Sequence, residues 1–99
     1  GYEAEVIDLR TLNPLDEKTL LESVAKTNRF LIVNEAPKTC GFAGEVVARI
    51  SDLAFEHLDA PPTRITRMDT PVPWAKSLET FVLPSIQEIA DTALRLIKY

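Results

Sequence analysis

The distribution of apolar and polar residues along the chain predicts an alternation of strands and helices. Phe30–Val33 is a continuous apolar run, which is typical of a strand buried on both faces of a sheet. Ala4–Leu9 has β-branched residues at its centre and predicts an earlier strand. Arg64–Met68 predicts a later strand of alternating pattern, either at a sheet edge or beneath a covering partner. The pattern therefore predicts an α/β fold with three layers, α/β/α, around a mostly parallel sheet.

Three segments between and after these strands have helical periodicity. Asp16–Lys26 begins with a good N-cap, Phe42–Leu58 repeats apolar residues at steps of three and four, and Ser85–Lys98 opens with a Ser-x-x-Glu capping box. The stripe of this last helix comprises Ile86, Ile89, Ala90, Ala93, Leu94 and Ile97. By contrast, the prolines of Asp69–Phe81 predict an irregular surface loop with Trp74 as its anchor.

Composition limits the classes of function. The 99 residues are enough for one domain, and 45% of them are hydrophobic, so a folded core is expected. The net charge of −4 and the lack of a Lys/Arg cluster argue against nucleic acid or an anionic membrane as a partner. No apolar run reaches the length of a membrane span, and the single Cys excludes an internal disulfide. We interpret the chain as a soluble intracellular domain.

Few residues offer catalytic chemistry. Cys40 lies in a strand–helix loop, where a helix N-terminus can activate a thiol, and a small thiol enzyme is one hypothesis. The only His is His57, about four turns away along the next helix by the ~3.6-residue period. One Cys and one His without clustered carboxylates make no metal site. The sequence thus predicts no catalytic, cofactor-binding or metal-ligating residue.

The loops that follow the strands are the better candidates. The strands of a βαβ arrangement run the same way, so loops 35–42 and 69–76 are expected on one side of the domain. We predict that Glu35, Phe42 and Trp74 contact another chain there. An alternative hypothesis is a free-standing α/β domain that binds a nucleotide or anion at the 38–44 turn, through free N–H groups at the helix start. That turn lacks both the G-x-G-x-x-G spacing and the P-loop Lys.

Three stretches, taken together and in order, resemble one protein family. They are Glu5–Asp16, then Asn34–Pro37 with Gly41-Phe42, and then Leu58–Pro61 with Asp69–Pro73. Their order and spacing are similar to the C-terminal domain of the beta subunit of 2-oxo acid dehydrogenases, which are transketolase-like enzymes dependent on thiamine diphosphate. The resemblance covers nearly all of residues 1–99 and suits pyruvate, branched-chain or acetoin enzymes.

The resemblance implies a non-catalytic assembly role. In this family, thiamine diphosphate and Mg²⁺ bind between the alpha subunit and the N-terminal domain of the beta subunit. The C-terminal domain joins the beta subunits and helps to dock the enzyme on its dihydrolipoyl acyltransferase core. The whole enzyme decarboxylates a 2-oxo acid and reductively acylates lipoyl groups, in the bacterial cytoplasm or the mitochondrial matrix. This chain alone is expected to be inactive and to bind no cofactor.

The family's domain normally has further strands and a helix ahead of Ala4, so the resemblance implies an N-terminally truncated domain. A missing strand would leave exposed edges on Val6–Leu9 and Phe30–Val33. We expect the chain to pair these two strands directly or to recruit a strand from another molecule. It is accordingly expected to self-associate or to depend on a longer polypeptide for its fold.

Overall fold

The computed structural model describes all 99 residues and contains four α-helices and two β-strands. In chain order the elements are α1 (Glu17–Thr27), β1 (Leu31–Pro37), α2 (Phe42–Ala54), a 3₁₀ turn (Phe55–His57), β2 (Thr63–Arg67), α3 (Lys76–Val82) and α4 (Ile86–Ile97). The predicted strands at Phe30–Val33 and Arg64–Met68, and the three predicted helices, are confirmed with small shifts of their ends.

Local capping explains where the helices begin and end. The Asp16 carboxylate accepts a hydrogen bond from the Thr19 N–H at 3.2 Å, and the Ser85 hydroxyl accepts one from the Glu88 N–H at 3.1 Å. The helix α1 ends at Asn28, which is left-handed (φ 64°) and donates its backbone N–H to a carbonyl of the last turn.

The two strands pair directly and in parallel, with α2 as the connection between them. Leu31 lies opposite Thr63 and Asn34 opposite Thr66, and the register becomes irregular between Asn34 and Pro37. The sheet contains only these two strands, so the outer edge of β1 has no neighbouring strand in this chain. The parallel pair with its helical crossover confirms the predicted α/β class.

The main core lies between α1 and α2. Its buried members are Leu20, Val24, Val46, Ile50 and Ala54. Ile32 of β1 packs against this cluster, whereas Val33, on the opposite face of the strand, is 44% exposed. The prediction that Phe30–Val33 is buried on both faces is therefore wrong here, because α2 covers one face and the other is partly open.

The predicted strand at Ala4–Leu9 does not form. These residues belong to no helix or strand. They lie alongside α1, and Glu5 accepts hydrogen bonds from Ser23 and Lys26 of that helix. Ile7 packs against the main core instead of facing β1. β-Propensity alone makes no strand without a neighbour to pair with, and α1 offers the segment both polar and apolar contacts. The expected direct pairing of this segment with β1 is thus absent.

The segment Asp69–Phe81 is more regular than predicted. Its second half belongs to α3, whose last residue, Val82, is buried and accepts a hydrogen bond from the Met68 N–H at 2.9 Å. Burial of Val82 and this hydrogen bond to the end of β2 stabilise a helix too short to be recognised from periodicity. Trp74 does not anchor the loop, because its side chain is fully exposed. No helix combines the length and hydropathy needed to cross a bilayer.

Candidate partner-binding surface

The loops that follow β1 and β2 are hydrogen-bonded to each other. The Thr39 N–H donates to Asp69 Oδ1 at 3.0 Å, and the Thr39 hydroxyl donates to Asp69 Oδ2. Arg64 Nη1 donates to the Lys38 carbonyl at 2.9 Å, and Arg67 Nε donates to the carbonyl of residue 35 at 3.2 Å. The prediction that the two loops lie on one side of the domain is confirmed.

The Asp69 carboxylate is held in its charged form by this arrangement. Hydrogen bonds from the Thr39 hydroxyl and backbone lower the pKa of Asp69 from its ordinary value of 3.8, and the backbone and charge of Lys38 act in the same direction. At neutral pH the carboxylate is therefore a stable acceptor that joins the two loops.

The turn between β1 and α2 leaves no room for a side chain at Gly41. A Cβ built there would lie 2.0 Å from the Pro37 carbonyl oxygen, so the chain folds back closely on the end of β1. Cys40, just before it, is exposed and left-handed (φ 59°). The close approach of backbone to backbone fixes where α2 begins and where Phe42 lies.

The candidate catalytic and metal-binding residues are not assembled into a site. His57 lies in the 3₁₀ turn after α2, where its nearest charged partner is Glu56 at 3.7 Å. The chain contains no group of three or more His, Cys, Asp or Glu side chains placed to hold a metal ion. No structural feature supports the hypothesis of a thiol enzyme built on Cys40.

The 38–44 turn is also poorly suited to an anion. The backbone N–H groups of Thr39 and Lys38 already donate to the Asp69 carboxylate. The negative charge of this carboxylate would repel a phosphate. Glu45 adds a second negative charge in the first turn of α2. A nucleotide at this turn would have to displace Asp69, so the geometry disfavours the alternative hypothesis.

The three predicted partner-binding residues differ in their surroundings. Trp74 is fully exposed, at 102% relative accessibility, and Glu35 is exposed at the carboxyl end of β1. Phe42 is only partly exposed and packs against the main core. Hydrogen bonds join the first loop to Asp69, where the loop of Trp74 begins, and Phe42 also has a structural role that the sequence did not indicate.

The sequence also matches a known protein family. Residues 1–89 match the family described as transketolase, C-terminal domain. The chain belongs to the transketolase C-terminal domain family. The predicted resemblance is confirmed by this match, which covers most of the chain.

Curated relatives of this transketolase C-terminal domain are beta subunits of oxidoreductases. The chain is 44% identical over 97 residues to the beta subunit of acetoin:2,6-dichlorophenolindophenol oxidoreductase from Bacillus subtilis, covering 98% of the chain and 28% of that protein. It is 41% identical over 99 residues to the pyruvate dehydrogenase E1 component subunit beta of the same organism, covering 100% and 30%. The 2-oxoisovalerate dehydrogenase subunit beta of Pseudomonas aeruginosa is 46% identical over 85 residues, covering 86% and 24%. The chain spans less than a third of the length of these relatives.

In the segment that carries Trp74, this transketolase C-terminal domain exposes further apolar side chains that the sequence analysis did not identify. Val72 precedes Trp74 and is 67% exposed, and Phe81 of α3 is 68% exposed. Leu78, one turn before Phe81 in α3, is more than half exposed as well. The three-residue spacing of Leu78 and Phe81 is the only sequence signal for this apolar pair, and a helix of seven residues is too short for periodicity to establish it. Apolar residues with a central aromatic are characteristic of protein interfaces.

Proposed function

We propose that this chain is the C-terminal domain of the beta subunit of a thiamine-diphosphate-dependent 2-oxo acid dehydrogenase and acts there as an assembly domain. The observation that carries the proposal is the fully exposed Trp74, on a loop held by the Asp69–Thr39 contact, in a domain whose relatives are beta subunits. A large exposed aromatic on a positioned loop suits burial against another chain. The partners are an alpha subunit, a second beta subunit and the dihydrolipoyl acyltransferase core.

The reaction proposed for the whole enzyme is oxidative decarboxylation of a 2-oxo acid with acylation of a lipoyl group. The three relatives act on acetoin, pyruvate and 2-oxoisovalerate by their names, at closely similar identities of 44%, 41% and 46%. Their similarity favours no one of the three substrates. Relatives include a bacterial and a mitochondrial protein, which supports a cytoplasmic or matrix location.

The residues of this chain do not fit the cofactor itself. Binding thiamine diphosphate needs donors for the diphosphate and oxygen ligands for Mg²⁺. The N–H groups of the 38–44 turn face Asp69, and no cluster of carboxylates is placed to hold a metal. We therefore assign thiamine diphosphate and Mg²⁺ to other parts of the enzyme and give this chain no catalytic residue.

Two measurements test the proposal. Titration of the chain with thiamine diphosphate and Mg²⁺ in a calorimeter should give no saturable heat, and saturable binding would contradict the division of roles. Trp74→Ala should weaken association with the alpha subunit in light scattering. Val6→Ala is the matched control, because Val6 is 88% exposed but lies on the N-terminal segment. Equal association of both variants with the alpha subunit would contradict a docking role for Trp74.

A further inference from the structure

The helix α3 is held to the rest of the domain only at its last residue. Val82 is buried, and its carbonyl accepts a hydrogen bond from the Met68 N–H at 2.9 Å. All the other residues of α3 are exposed, including the apolar Leu78 and Phe81. No other helix or strand packs extensively against α3. We call residues 71–81 the arm, because this segment leaves the domain after β2 and returns to it at Val82.

The sequence of α3 gives the helix little stability of its own. Its N-cap is Ala75, which offers no side-chain acceptor, whereas α1 and α4 both begin with a side-chain cap. Lys76 places a positive charge in the first turn, where the helix dipole disfavours it. Thr80 and Val82 in the last turn are β-branched, which lowers helix propensity. Isolated helices shorter than about 12 residues are marginal in water, so seven residues without packing do not make a stable helix.

The two ends of the arm, in contrast, are tied to the domain. Just before the arm, the Asp69 carboxylate accepts hydrogen bonds from Thr39. Just after it, the hydrogen bond from Met68 to the buried Val82 closes the base of the arm. Proteins open locally in units that have few buried contacts, while the surrounding structure stays closed. The arm is a unit of this kind, with a fixed base and an unsupported middle.

We propose that the arm opens as a unit in the free chain, so that α3 melts and re-forms while Met68 and Val82 stay hydrogen-bonded at its base. Opening buries and exposes little apolar surface, because Leu78 and Phe81 already contact solvent in the closed arm. The hydrophobic effect therefore opposes it only weakly. This inference goes beyond the assembly role and does not depend on it. A molecule that binds only the closed arm would shift the equilibrium towards the folded α3.

Amide hydrogen exchange followed residue by residue by NMR tests the proposal. The Phe81 N–H, in the last turn of α3, should be protected at least roughly tenfold less than the Met68 N–H at the base. The Val46 N–H of α2 reports global unfolding, because Val46 lies in the main core. Low concentrations of urea should accelerate exchange at Val46 and leave Phe81 nearly unchanged, since local opening exposes little surface. Equal protection of Phe81 and Val46 would overturn the proposal, and so would a Met68 N–H that exchanges as fast as that of Phe81.

Substitutions at the N-cap of α3 test whether helix melting is the opening step. Ala75 has an extended backbone (φ −70°, ψ 130°), which suits a side-chain cap. Ala75→Thr supplies an acceptor for the first turn and should raise the protection of the Phe81 N–H roughly three- to fivefold. Ala75→Val is the matched control, because valine has the shape of threonine without the acceptor, and it should not raise that protection.

The Val46 N–H serves as the reference in both variants. Its protection should equal that of the parent chain, because the cap lies outside the main core. Equal protection of Phe81 in Ala75→Thr and Ala75→Val would show that the arm does not open through α3, which would overturn the proposal.

Discussion

The carboxylate of Asp69 accepts hydrogen bonds from both the backbone N–H and the hydroxyl of Thr39, 30 residues earlier in the chain. Because Thr39 follows β1 and Asp69 follows β2, this single side chain fixes the relative position of both loops at the carboxyl edge of the sheet. The loop that carries Trp74 begins at Asp69. The position of the exposed indole therefore depends on a contact that neither loop could make alone.

Asp69→Asn should loosen both loops without unfolding the domain. The substitution removes the charge and replaces one acceptor oxygen with a donor group, so at least one of the two hydrogen bonds from Thr39 is lost. We expect faster amide hydrogen exchange at Thr39 and a decrease in melting temperature of a few degrees at most. Asp52→Asn, at an exposed position of α2, is the control and should leave exchange at Thr39 unchanged. Unchanged exchange in Asp69→Asn would show that the contact does not order the turn.

Stability should fall with acidification below about pH 4.5. Hydrogen bonds from Lys26 and Ser23 lower the pKa of Glu5 from 4.5, and those from Thr39 lower the pKa of Asp69 from 3.8. Hydrogen bonds from Thr19 similarly lower the pKa of Asp16 from 3.8. A lowered pKa in the folded state contributes stability above the unfolded-state pKa, and that contribution is lost as the pH falls through the folded-state pKa.

Urea unfolding between pH 6 and pH 3 measures this dependence. The midpoint should be nearly constant at the upper end of the range, as far as these three carboxylates are concerned, and decrease at the lower end. The unfolding midpoint of Asp69→Asn should decrease less steeply with falling pH than that of the parent chain, since one of the three carboxylate contributions is missing. Identical slopes for the two proteins would rule out the Asp69 contribution.

Gly41→Ala should destabilise the fold although its backbone conformation (φ −80°) suits any residue. The added Cβ would lie 2.0 Å from the Pro37 carbonyl oxygen, which is backbone and cannot move aside without shifting the end of β1. We expect a loss of about 1–3 kcal/mol in the free energy of unfolding, as for other overpacked sites.

Gly44→Ala is the matched control for that substitution. Its Cβ would lie 3.4 Å from Arg64 Nη1, the end of a flexible side chain, and Gly44 lies inside α2. Alanine is favoured over glycine in a helix by up to ~1 kcal/mol, so this variant should be neutral or slightly stabilised. Denaturant unfolding of the two variants under the same conditions measures the contrast, and a destabilised Gly44→Ala with an unaffected Gly41→Ala would contradict the packing described here.

Phe42→Ala and Trp74→Ala should affect stability very differently. Phe42 packs against the main core and is partly buried, so its truncation should cost about 2 kcal/mol, less than the ~3–5 kcal/mol of a fully buried Phe. Trp74 contacts solvent, so its truncation should change the free energy of unfolding by less than ~0.5 kcal/mol. Thermal unfolding followed by circular dichroism compares the two. A large loss in Trp74→Ala would mean that the indole is buried in solution.

Features that depend on neighbouring residues could be predicted from the sequence. The caps at Asp16 and Ser85 are contacts across three residues, and in each the N-cap side chain accepts the backbone N–H that its motif predicts. The β1–α2–β2 unit was also predictable, because a continuous apolar run followed by a helical repeat admits few arrangements. The position of the two loops at the same edge of the sheet followed from the parallel direction of the strands.

Features that depend on distant partners could not be predicted in the same way. The segment Ala4–Leu9 has the composition of a strand, but Glu5 and Ile7 find their contacts on α1 and the main core. The short helix α3 forms because Val82 is buried, which periodicity cannot show. The Asp69–Thr39 contact joins residues 30 positions apart, so it requires the completed sheet.

The exposure of Trp74 gives the molecule a built-in optical reporter. It is the only tryptophan of the chain, so the indole fluorescence excited at long wavelength arises from this one side chain. An indole surrounded by water emits at the red end of its range, and unfolding leaves it in much the same solvent. A partner that covers the 69–76 loop would shift the emission to the blue, so a titration followed by fluorescence can distinguish binding at this surface from any change in the stability of the fold.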